Sequence, residues 1–190
     1  MVQATGTAAQ PGLEARGFRQ ALARFPTGVI VATAWDDVDG RYIGMTMSSF
    51  SPVSLDPPLV LFSIGRRALS LPAWCRVPGY AINVLALDQL ALCERFARPH
   101  ASKWEGIEFG HGHHRAPLLQ GALASFECLP HAQCDGGDHV TFFGRVVQFA
   151  ESGVGTPLVV YGSRFVSIEG LESRQPENAV SAAWPLPIHY

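Results

Sequence analysis

The chain has 190 residues, 47% of them hydrophobic, and a formal charge of −2 from 14 Lys and Arg against 16 Asp and Glu. This length fits one domain with a substantial core. The near balance of charge excludes the strongly basic surface typical of proteins that bind nucleic acids or anionic membranes, so we expect neither among its partners.

The two ends of the chain predict tails. Residues 1–12 are small and polar and lack the basic and apolar regions of a signal peptide. We expect a flexible tail there, a domain at 13–170 and an extended tail at 171–190. No apolar run is long enough to span a bilayer as a helix. The four cysteines form no CxxC pair, which predicts reduced thiols and a cytoplasmic protein.

The first predicted element is an amphipathic helix. Phe18, Leu22 and Phe25 recur at helical spacing with charged residues between them, which predicts a helix over residues 13–25. Because Pro26 disfavours the helical conformation of the residue before it, we expect the helix to end there.

A hairpin and a further strand follow this helix. β-Branched residues predict a strand over 29–35, and the Asp39-Gly40 pair predicts a tight reversal into a second strand over 41–49. The Pro57-Pro58 pair donates no ladder hydrogen bond. The next strand is therefore predicted to begin there, over residues 59–64.

The middle of the chain mixes short helices with one strand and a long loop. We expect a short helix over 70–76, a strand over 80–86, and a second helix that has Asp88 as its N-cap and ends near Arg98-Pro99. Residues 100–119 are rich in Gly, His and Pro and show no clear period. This pattern predicts a long surface loop, and such loops often carry function.

Three further strands decide the fold class. They are predicted over residues 122–129, 140–149 and 158–168, with Gly-rich turns between them. All together, six or seven strands do not alternate with helices, which disfavours a doubly wound parallel sheet. We therefore predict a mainly β protein, a closed antiparallel barrel with two to three added helices.

A run of hydroxyl side chains is the strongest functional signal in the sequence. Thr46, Ser48, Ser49 and Ser51 form a polar rim without any acid, base or metal ligand. Such a rim suits a planar, hydrogen-bonding molecule that carries its own chemistry. The alternative is a turn whose side chains cap their own backbone. Neither Gly-x-Gly-x-x-Gly nor GxxxxGK[ST] occurs at a suitable place, so any nucleotide must bind without those loops.

Seven short motifs follow one another along the chain. They are Phe25-Pro26-Thr27-Gly28-Val29, Gly44-Met45-Thr46-Met47-Ser48-Ser49-Phe50, Ser54-Leu55-Asp56-Pro57-Pro58-Leu59, Asn83-Val84-Leu85, Asp88-Gln89, Gly137-Asp138-His139 and Gly144-Arg145-Val146. In this order they resemble the flavin reductase-like family, and the resemblance covers residues 18–168. It implies the FMN-binding split barrel, an antiparallel Greek-key barrel that forms a homodimer with the flavin near the dimer interface.

The resemblance also implies an activity. The family member would be an NAD(P)H:flavin oxidoreductase, the reductase component of a two-component flavin-dependent monooxygenase. It would use NADH or NADPH without a Rossmann domain, which agrees with the missing fingerprint, and would supply reduced FMN or FAD to a separate monooxygenase.

The resemblance further implies which residues bind the flavin. Amides and hydroxyls of Thr46, Ser48 and Ser49 would bond the ring, where neutral donors stabilise the negative charge left by hydride transfer. Gly44 would let the backbone approach closely. Residues after the central strand would hold the ribityl chain and phosphate, with Ser70 at the start of a helix as an anion site. The full implied set is Thr27, Gly44, Met45, Thr46, Met47, Ser48, Ser49, Ser63, Ile64, Gly65, Arg66, Ser70, Asn83, Phe96 and Ala97.

Three members of this set have an alternative role. Arg66, with Arg67, would neutralise the phosphate or else lie on a solvated loop. Asn83 lies on an apolar strand and needs a buried partner, so it would shape the site or else cap the backbone. Phe96 would lie beside the flavin with Ala97, or else pack in the core.

His139 is the implied catalytic residue. In the Gly137-Asp138-His139 motif, the resemblance places it facing the nicotinamide. Hydride transfer needs no general base in its first step, so we expect His139 to orient NAD(P)H rather than to remove a proton. Arg164 and Phe165 are the other implied contacts of the nicotinamide nucleotide.

Two alternative functions remain open from the sequence. A split-barrel protein can bind flavin or haem without turnover, as a carrier or sensor. The tract of His111, His113 and His114 is typical of a metal site, which suggests a metal-binding or purely structural dimer. No carboxylate or cysteine completes a ligand set within that loop, so we expect no metal.

Overall fold

The computed structural model describes residues 14–99, 102–152 and 155–168. The predicted tails at 1–12 and 171–190 lie outside these residues, and the predicted domain limits stay predictions. Within the described ranges, no helix has the length and apolar character needed to cross a membrane.

The described residues form twelve β-strands and three α-helices, which agrees with the predicted two to three helices. The helices are α1 (Ala15–Leu22), α2 (Leu71–Trp74) and α3 (Leu90–Ala97). The strands are β1 (Thr27–Gly28), β2 (Ile30–Asp36), β3 (Arg41–Met47), β4 (Ser51–Leu55), β5 (Pro58–Gly65), β6 (Tyr80–Val84), β7 (Phe109–His111), β8 (Pro117–Leu119), β9 (Ala124–Gly136), β10 (His139–Glu151), β11 (Val159–Tyr161) and β12 (Arg164–Val166).

All the paired strands run antiparallel, as predicted. The main sheet has seven strands in the order β3-β2-β6-β9-β10-β5-β4. A small sheet has the order β1-β11-β12, and β7 pairs with β8. The prediction of a mainly β, antiparallel fold is confirmed.

The two edges of the main sheet, β3 and β4, are consecutive in the chain. Only residues 48–50 link them, and four Cα steps of 3.8 Å span at most about 15 Å. The sheet must therefore roll until its edges face each other. We call the gap between these edges, spanned by residues 48–50, the seam.

Two apolar clusters lie on opposite sides of the rolled sheet. The barrel interior contains Ile43, Phe62 and Phe142, together with other buried side chains, and Met45 and Met47 pack there too. The second cluster lies between the sheet and α3 and includes Phe96. Because successive strand residues point to opposite faces, β2 serves both clusters in alternation, with Ile30 and Ala32 in the first and Val31 in the second.

Two predicted strands end differently from expectation. The strand predicted to end at residue 129 runs on through Pro130 as β9. An extra residue, His131, forms a bulge there, since Pro130 pairs with Gly144 while Ala132 pairs with Phe143. The pairing of β9 with β6 ends at Cys128, so Pro130 lies where β9 has a partner on one side only, a place that tolerates proline.

The strand predicted over 158–168 is in fact the hairpin of β11 and β12. Gly162 and Ser163 both adopt positive φ and reverse the chain, and the Gly162 N–H donates to the Ala23 carbonyl at 2.8 Å. The predicted loop at 100–119 contains the short pair β7–β8, and β4 was not predicted at all.

The N-cap predicted at Asp88 is wrong. A 3-10 turn, Leu87–Gln89, precedes α3, and the N-cap position of α3 is Gln89. The Gln89 side chain accepts a hydrogen bond from the Ala86 N–H at 3.1 Å. A side chain at the end of the turn therefore caps the backbone, and Asp88 lies exposed within it.

Candidate functional site

The turn between β9 and β10 places His139 at the end of β5. His139 pairs with Gly65 across the sheet, and a Cβ placed on Gly65 would lie 3.7 Å from its Nε2. The Nδ1 atom lies 2.6 Å from Oδ1 of Asp138. The His139 side chain is 48% exposed. The imidazole is thus anchored at Nδ1, while no described residue hydrogen-bonds its Nε2.

Arg66 holds this turn in place. Its backbone N–H donates to the Asp138 carbonyl at 2.8 Å, and its Nε donates to the Gly137 carbonyl at 2.8 Å. Its Nη2 pairs with Asp135 at 2.9 Å, and this hydrogen bond lowers the pKa of Asp135. The guanidinium predicted to bind a phosphate is therefore also engaged with the hairpin, and its contact with a phosphate stays a prediction.

A row of hydroxyl groups runs next to His139. Ser63 on β5 pairs with Thr141 on β10, and their hydroxyl oxygens lie 3.0 Å apart. The Ser49 hydroxyl donates to the Ser63 carbonyl at 3.1 Å and accepts the Ser63 N–H at 3.0 Å. Side chains at paired and alternate positions share a face, so Ser63, Thr141 and His139 lie on one face of the sheet.

The seam leaves backbone donors next to this face. Ser48 and Ser49 are exposed, and no acceptor among the described residues bonds their backbone N–H groups. These donors are neutral and belong to a loop that Ser49 pins to β5. They fit the predicted partner, a planar molecule with hydrogen-bond acceptors along one edge.

The side chains just before the seam do not point at a ligand. The Thr46 hydroxyl donates to the Cys93 carbonyl on α3 at 2.7 Å. Met47 and Ile64 are buried in the barrel interior, and Met45 packs against it. The Thr46 hydroxyl thus donates its hydrogen to α3, and the predicted contacts of this set with a cofactor stay predictions that fall mainly to backbone groups.

Gly44 also has a role other than the predicted one. A Cβ placed on it would lie 2.6 Å from the Phe96 ring and 3.0 Å from the Trp104 ring. These rings contact each other edge to face, with centroids 4.8 Å apart. The missing side chain makes room for α3, against which Phe96 packs as a core residue, and the predicted flavin contacts of both residues stay predictions.

Lys103 is a residue that the sequence reasoning missed. Its Nζ donates to the Gly44 carbonyl at 3.1 Å and lies 5.9 Å from the centre of the Phe96 ring. Burial lowers the pKa of Lys103. A cation thus binds the backbone of the edge strand two residues before Thr46. The sequence feature that could have drawn attention to it is that Lys103 is the only lysine in the sequence.

Asn83 is fully buried and fully engaged. Its Nδ2 donates to the Val31 carbonyl and to the Thr33 hydroxyl, both at 3.1 Å, and its Oδ1 accepts the Leu119 N–H at 2.9 Å. The amide ties β8 to the barrel. The Asn83 side chain thus bonds the backbone of two other elements, and its predicted role in shaping the site stays a prediction.

A family comparison decides the identity of this arrangement. The profile described as "Flavin reductase like domain" matches residues 22–169. The chain belongs to this family.

Relatives and solved structures agree with the assignment. The reductase subunit HsaB of a flavin-dependent monooxygenase from Rhodococcus jostii (strain RHA1) is 36% identical over 183 residues, covering 96% of this chain and 90% of that protein. "FMN reductase (NADH) SmoA" from Agrobacterium fabrum is 40% identical over 154 residues, 81% of this chain and 86% of that protein. The NADH:FAD oxidoreductase SgcE6 of Streptomyces globisporus C-1027, solved with NAD and FAD fragments, has a TM-score of 0.74 at 32% identity and covers 86% of this chain and 93% of its own. The predicted family, the enzyme class of NAD(P)H-dependent flavin reductase and its cofactor classes are confirmed.

The remaining predicted cofactor residues of this flavin reductase lie on other elements than the seam, and their roles stay predictions. Ser70 precedes α2, but this helix has only four residues and Ser70 makes no side-chain cap. The predicted anion site thus lacks the helix dipole on which it rested. Ala97 ends α3 and is exposed, and Thr27 lies in β1 of the small sheet.

Arg164 and Phe165 lie on β12, whose partner strand among the described residues is β11. Both are exposed, and no hydrogen bond, ion pair or ring contact joins either residue to His139 in the described part of the chain. Within the described residues, His139 of this flavin reductase therefore stands apart from the other two predicted nicotinamide contacts.

The His-rich tract of this flavin reductase has separate structural roles for its members. The His111 ring stacks on Tyr42, with centroids 6.0 Å apart. The Nδ1 atom and the backbone N–H of His113 both lie 2.7 Å from Oε2 of the buried Glu127. His114 adopts a left-handed conformation with φ of 52°. Among the described residues, no three His, Cys, Asp or Glu side chains are placed to hold a metal ion.

Proposed function

We propose that the protein binds flavin at the seam and NAD(P)H beside His139, and releases reduced FMN or FAD to a separate monooxygenase. When bound, the two cofactors supply the hydride donor and acceptor. The chain itself needs only to hold two rings in register, because positioning is the main demand of such a transfer.

The shared face of Ser63, Thr141 and His139 carries this proposal. It adjoins the N–H groups of Ser48 and Ser49, which no described residue bonds, so neutral donors for one ring lie next to the imidazole that would meet the other. Gly65 leaves the surface beside the imidazole without a side chain. These features support flavin and nicotinamide binding on one side of the sheet.

The decisive experiment is steady-state oxidation of NADH and of NADPH by the purified protein, followed by absorbance, with FMN and with FAD. We expect flavin-dependent oxidation of at least one nucleotide. If neither is oxidised with either flavin, the protein is a carrier or sensor of the split-barrel type and the proposal is wrong.

Two variants locate the site. Ser49→Trp should fill the seam and abolish flavin binding, measured by fluorescence titration, while the fold persists. His139→Ala should raise the KM for NAD(P)H and leave flavin binding unchanged. His131→Ala is the matched control, because His131 is an exposed histidine on the same hairpin. Unchanged kinetics in both test variants would place the site elsewhere.

We further propose that the protein works as a homodimer and that the partner subunit brings Arg164 and Phe165 to the nicotinamide. Large apolar side chains that are exposed in one chain support this, among them Phe149 at 68% and Phe165 at 43%. Light scattering should give twice the chain mass of 20.5 kDa. A monomer that retains full activity contradicts the proposal.

The predicted cytoplasmic location belongs to the same proposal. It is supported by the four cysteines, all of which are free thiols. Reduced thiols are typical of cytoplasmic proteins.

A further inference from the structure

We propose that Asp138 is a positioning residue that fixes the tautomer of His139, so that Nε2 accepts a hydrogen bond from the carboxamide N–H of the nicotinamide. This inference rests on the proposed function, because it takes His139 as the nicotinamide contact. The inference also states which part of the carboxamide is recognised, because His139 would bond its NH₂ group and not its carbonyl oxygen.

The tautomer follows from the contact at Nδ1. This atom lies 2.6 Å from Oδ1 of Asp138, and an ionised carboxylate can only accept a hydrogen bond. The hydrogen bond to His139 also lowers the pKa of Asp138, which keeps the carboxylate ionised. Nδ1 must therefore carry the hydrogen. A neutral imidazole has one N–H, so Nε2 presents a lone pair.

The position of Nε2 makes that lone pair available to a ligand. In the described part of the chain, Nε2 makes no hydrogen bond. It lies on the side of Gly65, where a Cβ would be 3.7 Å away and where no side chain intervenes. A group that docks on this face meets an acceptor.

The carboxylate alone would hold the ring only weakly. Asp138 is 93% exposed, and exposed ion pairs contribute little to stability. The backbone around it is fixed independently, since Arg66 donates to the carbonyls of Gly137 and Asp138 and pairs with Asp135. Arg66 therefore sets where the imidazole lies, and Asp138 sets which nitrogen carries the hydrogen.

A nucleotide analogue tests the contribution of the carboxamide NH₂ group separately from that of the carbonyl oxygen. Reduced 3-acetylpyridine adenine dinucleotide keeps the carbonyl oxygen of NADH but has a methyl group in place of the NH₂. Its intrinsic reactivity as a hydride donor differs from that of NADH. That difference is the same for every variant, so it cancels when the NADH-to-analogue ratio of kcat/KM is compared between proteins.

We expect the wild-type ratio to fall about 2- to 12-fold in Asp138→Asn and in His139→Ala, the range that one hydrogen bond spans. In Asp138→Asn the amide can donate to Nδ1, which moves the ring hydrogen to Nε2 and turns the acceptor into a donor. The loss should appear in KM for NADH rather than in kcat. Asp37→Asn, which removes an exposed carboxylate in the turn after β2, should leave the ratio unchanged.

A direct readout does not depend on turnover. The ¹⁵N resonances of His139, identified by their loss in His139→Ala, distinguish hydrogen on Nδ1 from hydrogen on Nε2 in the free protein. We expect Nδ1–H in the wild type and a shift towards Nε2–H in Asp138→Asn.

The outcomes separate this inference from the proposed function. A wild-type protein that oxidises neither nucleotide contradicts the proposed function. An active wild type whose ratio survives in Asp138→Asn, or whose His139 carries its hydrogen on Nε2, contradicts only the role given to Asp138.

Discussion

Replacing Gly44 by alanine tests whether this glycine makes room for α3 or for the flavin. A Cβ there would lie 2.6 and 2.8 Å from two carbons of Phe96 and 3.0 Å from Trp104, whereas carbons in good contact lie about 3.5–4.0 Å apart. Phe96 is 1% exposed, so any shift of its ring displaces neighbours. Gly44 is not among the glycines with positive φ, and alanine therefore adds crowding without backbone strain.

The size of the effect follows from this overlap. Overpacking of a buried contact costs about 1–3 kcal/mol, and in a chain of this length that lowers the Tm by about 2–12 °C. Thermal unfolding without flavin measures it. Gly28→Ala is the matched control, because nothing lies within 4 Å of a Cβ at that position. The double variant Gly44→Ala, Phe96→Leu should be more stable than the two single effects predict, by about 1 kcal/mol.

Two results would refute the packing argument. The first is a wild-type Tm for Gly44→Ala together with a raised flavin requirement, which would mean that the glycine faces the ligand after all. The second is strict additivity in the double variant, which would mean that the added methyl group and the Phe96 ring do not meet.

Acid and thiol chemistry give two further predictions. The hydrogen bond from Arg76 lowers the pKa of the buried Asp36 below 3.8, so its stabilisation is complete above that value and is lost as the pH falls through the lower, folded-state value. Between about pH 5 and pH 2, the Tm should fall more steeply for the wild type than for Asp36→Asn, and parallel curves over that range would contradict this. Cys75 and Cys134 are exposed, whereas Cys93 and Cys128 are buried, and burial raises the pKa of both buried thiols, that of Cys128 to about 12. Ellman's reagent should therefore react with two thiols in the native chain and with four in denaturant. A native count of four would be inconsistent with this burial.

Local patterns in the sequence predicted the framework of the fold. The hairpin of β2 and β3 was predicted because β-branched residues and an Asp-Gly turn act over short distances. The start of β5 followed from two prolines. Pro130 misled the prediction of β9. Whether the sheet tolerates a proline there depends on where the neighbouring strand β6 ends, and the residues of β9 do not reveal this.

The site was harder to predict because side chains that are neighbours in the sequence point to different elements of the fold. Thr46, Ser48 and Ser49 read as one hydroxyl cluster, yet Thr46 turns to α3 and Ser49 to β5. Arg66 reads as a free cation because its partner, Asp135, lies 69 positions further along the chain. Such pairings depend on how the barrel closes. The motif around His139 located the turn but not the groups that hold it.

The seam has a meaning beyond closing the barrel. In a fully closed barrel every strand has two neighbours, and the N–H and C=O groups of each strand bond those neighbours. Here β3 and β4 end the sheet without pairing to each other, and Lys103 takes up one of the remaining carbonyls. Because the two edges do not pair, the backbone N–H groups of Ser48 and Ser49 have no acceptor among the described residues. The protein obtains binding donors from backbone that its own sheet does not use, while the Ser49 side chain holds that backbone against β5.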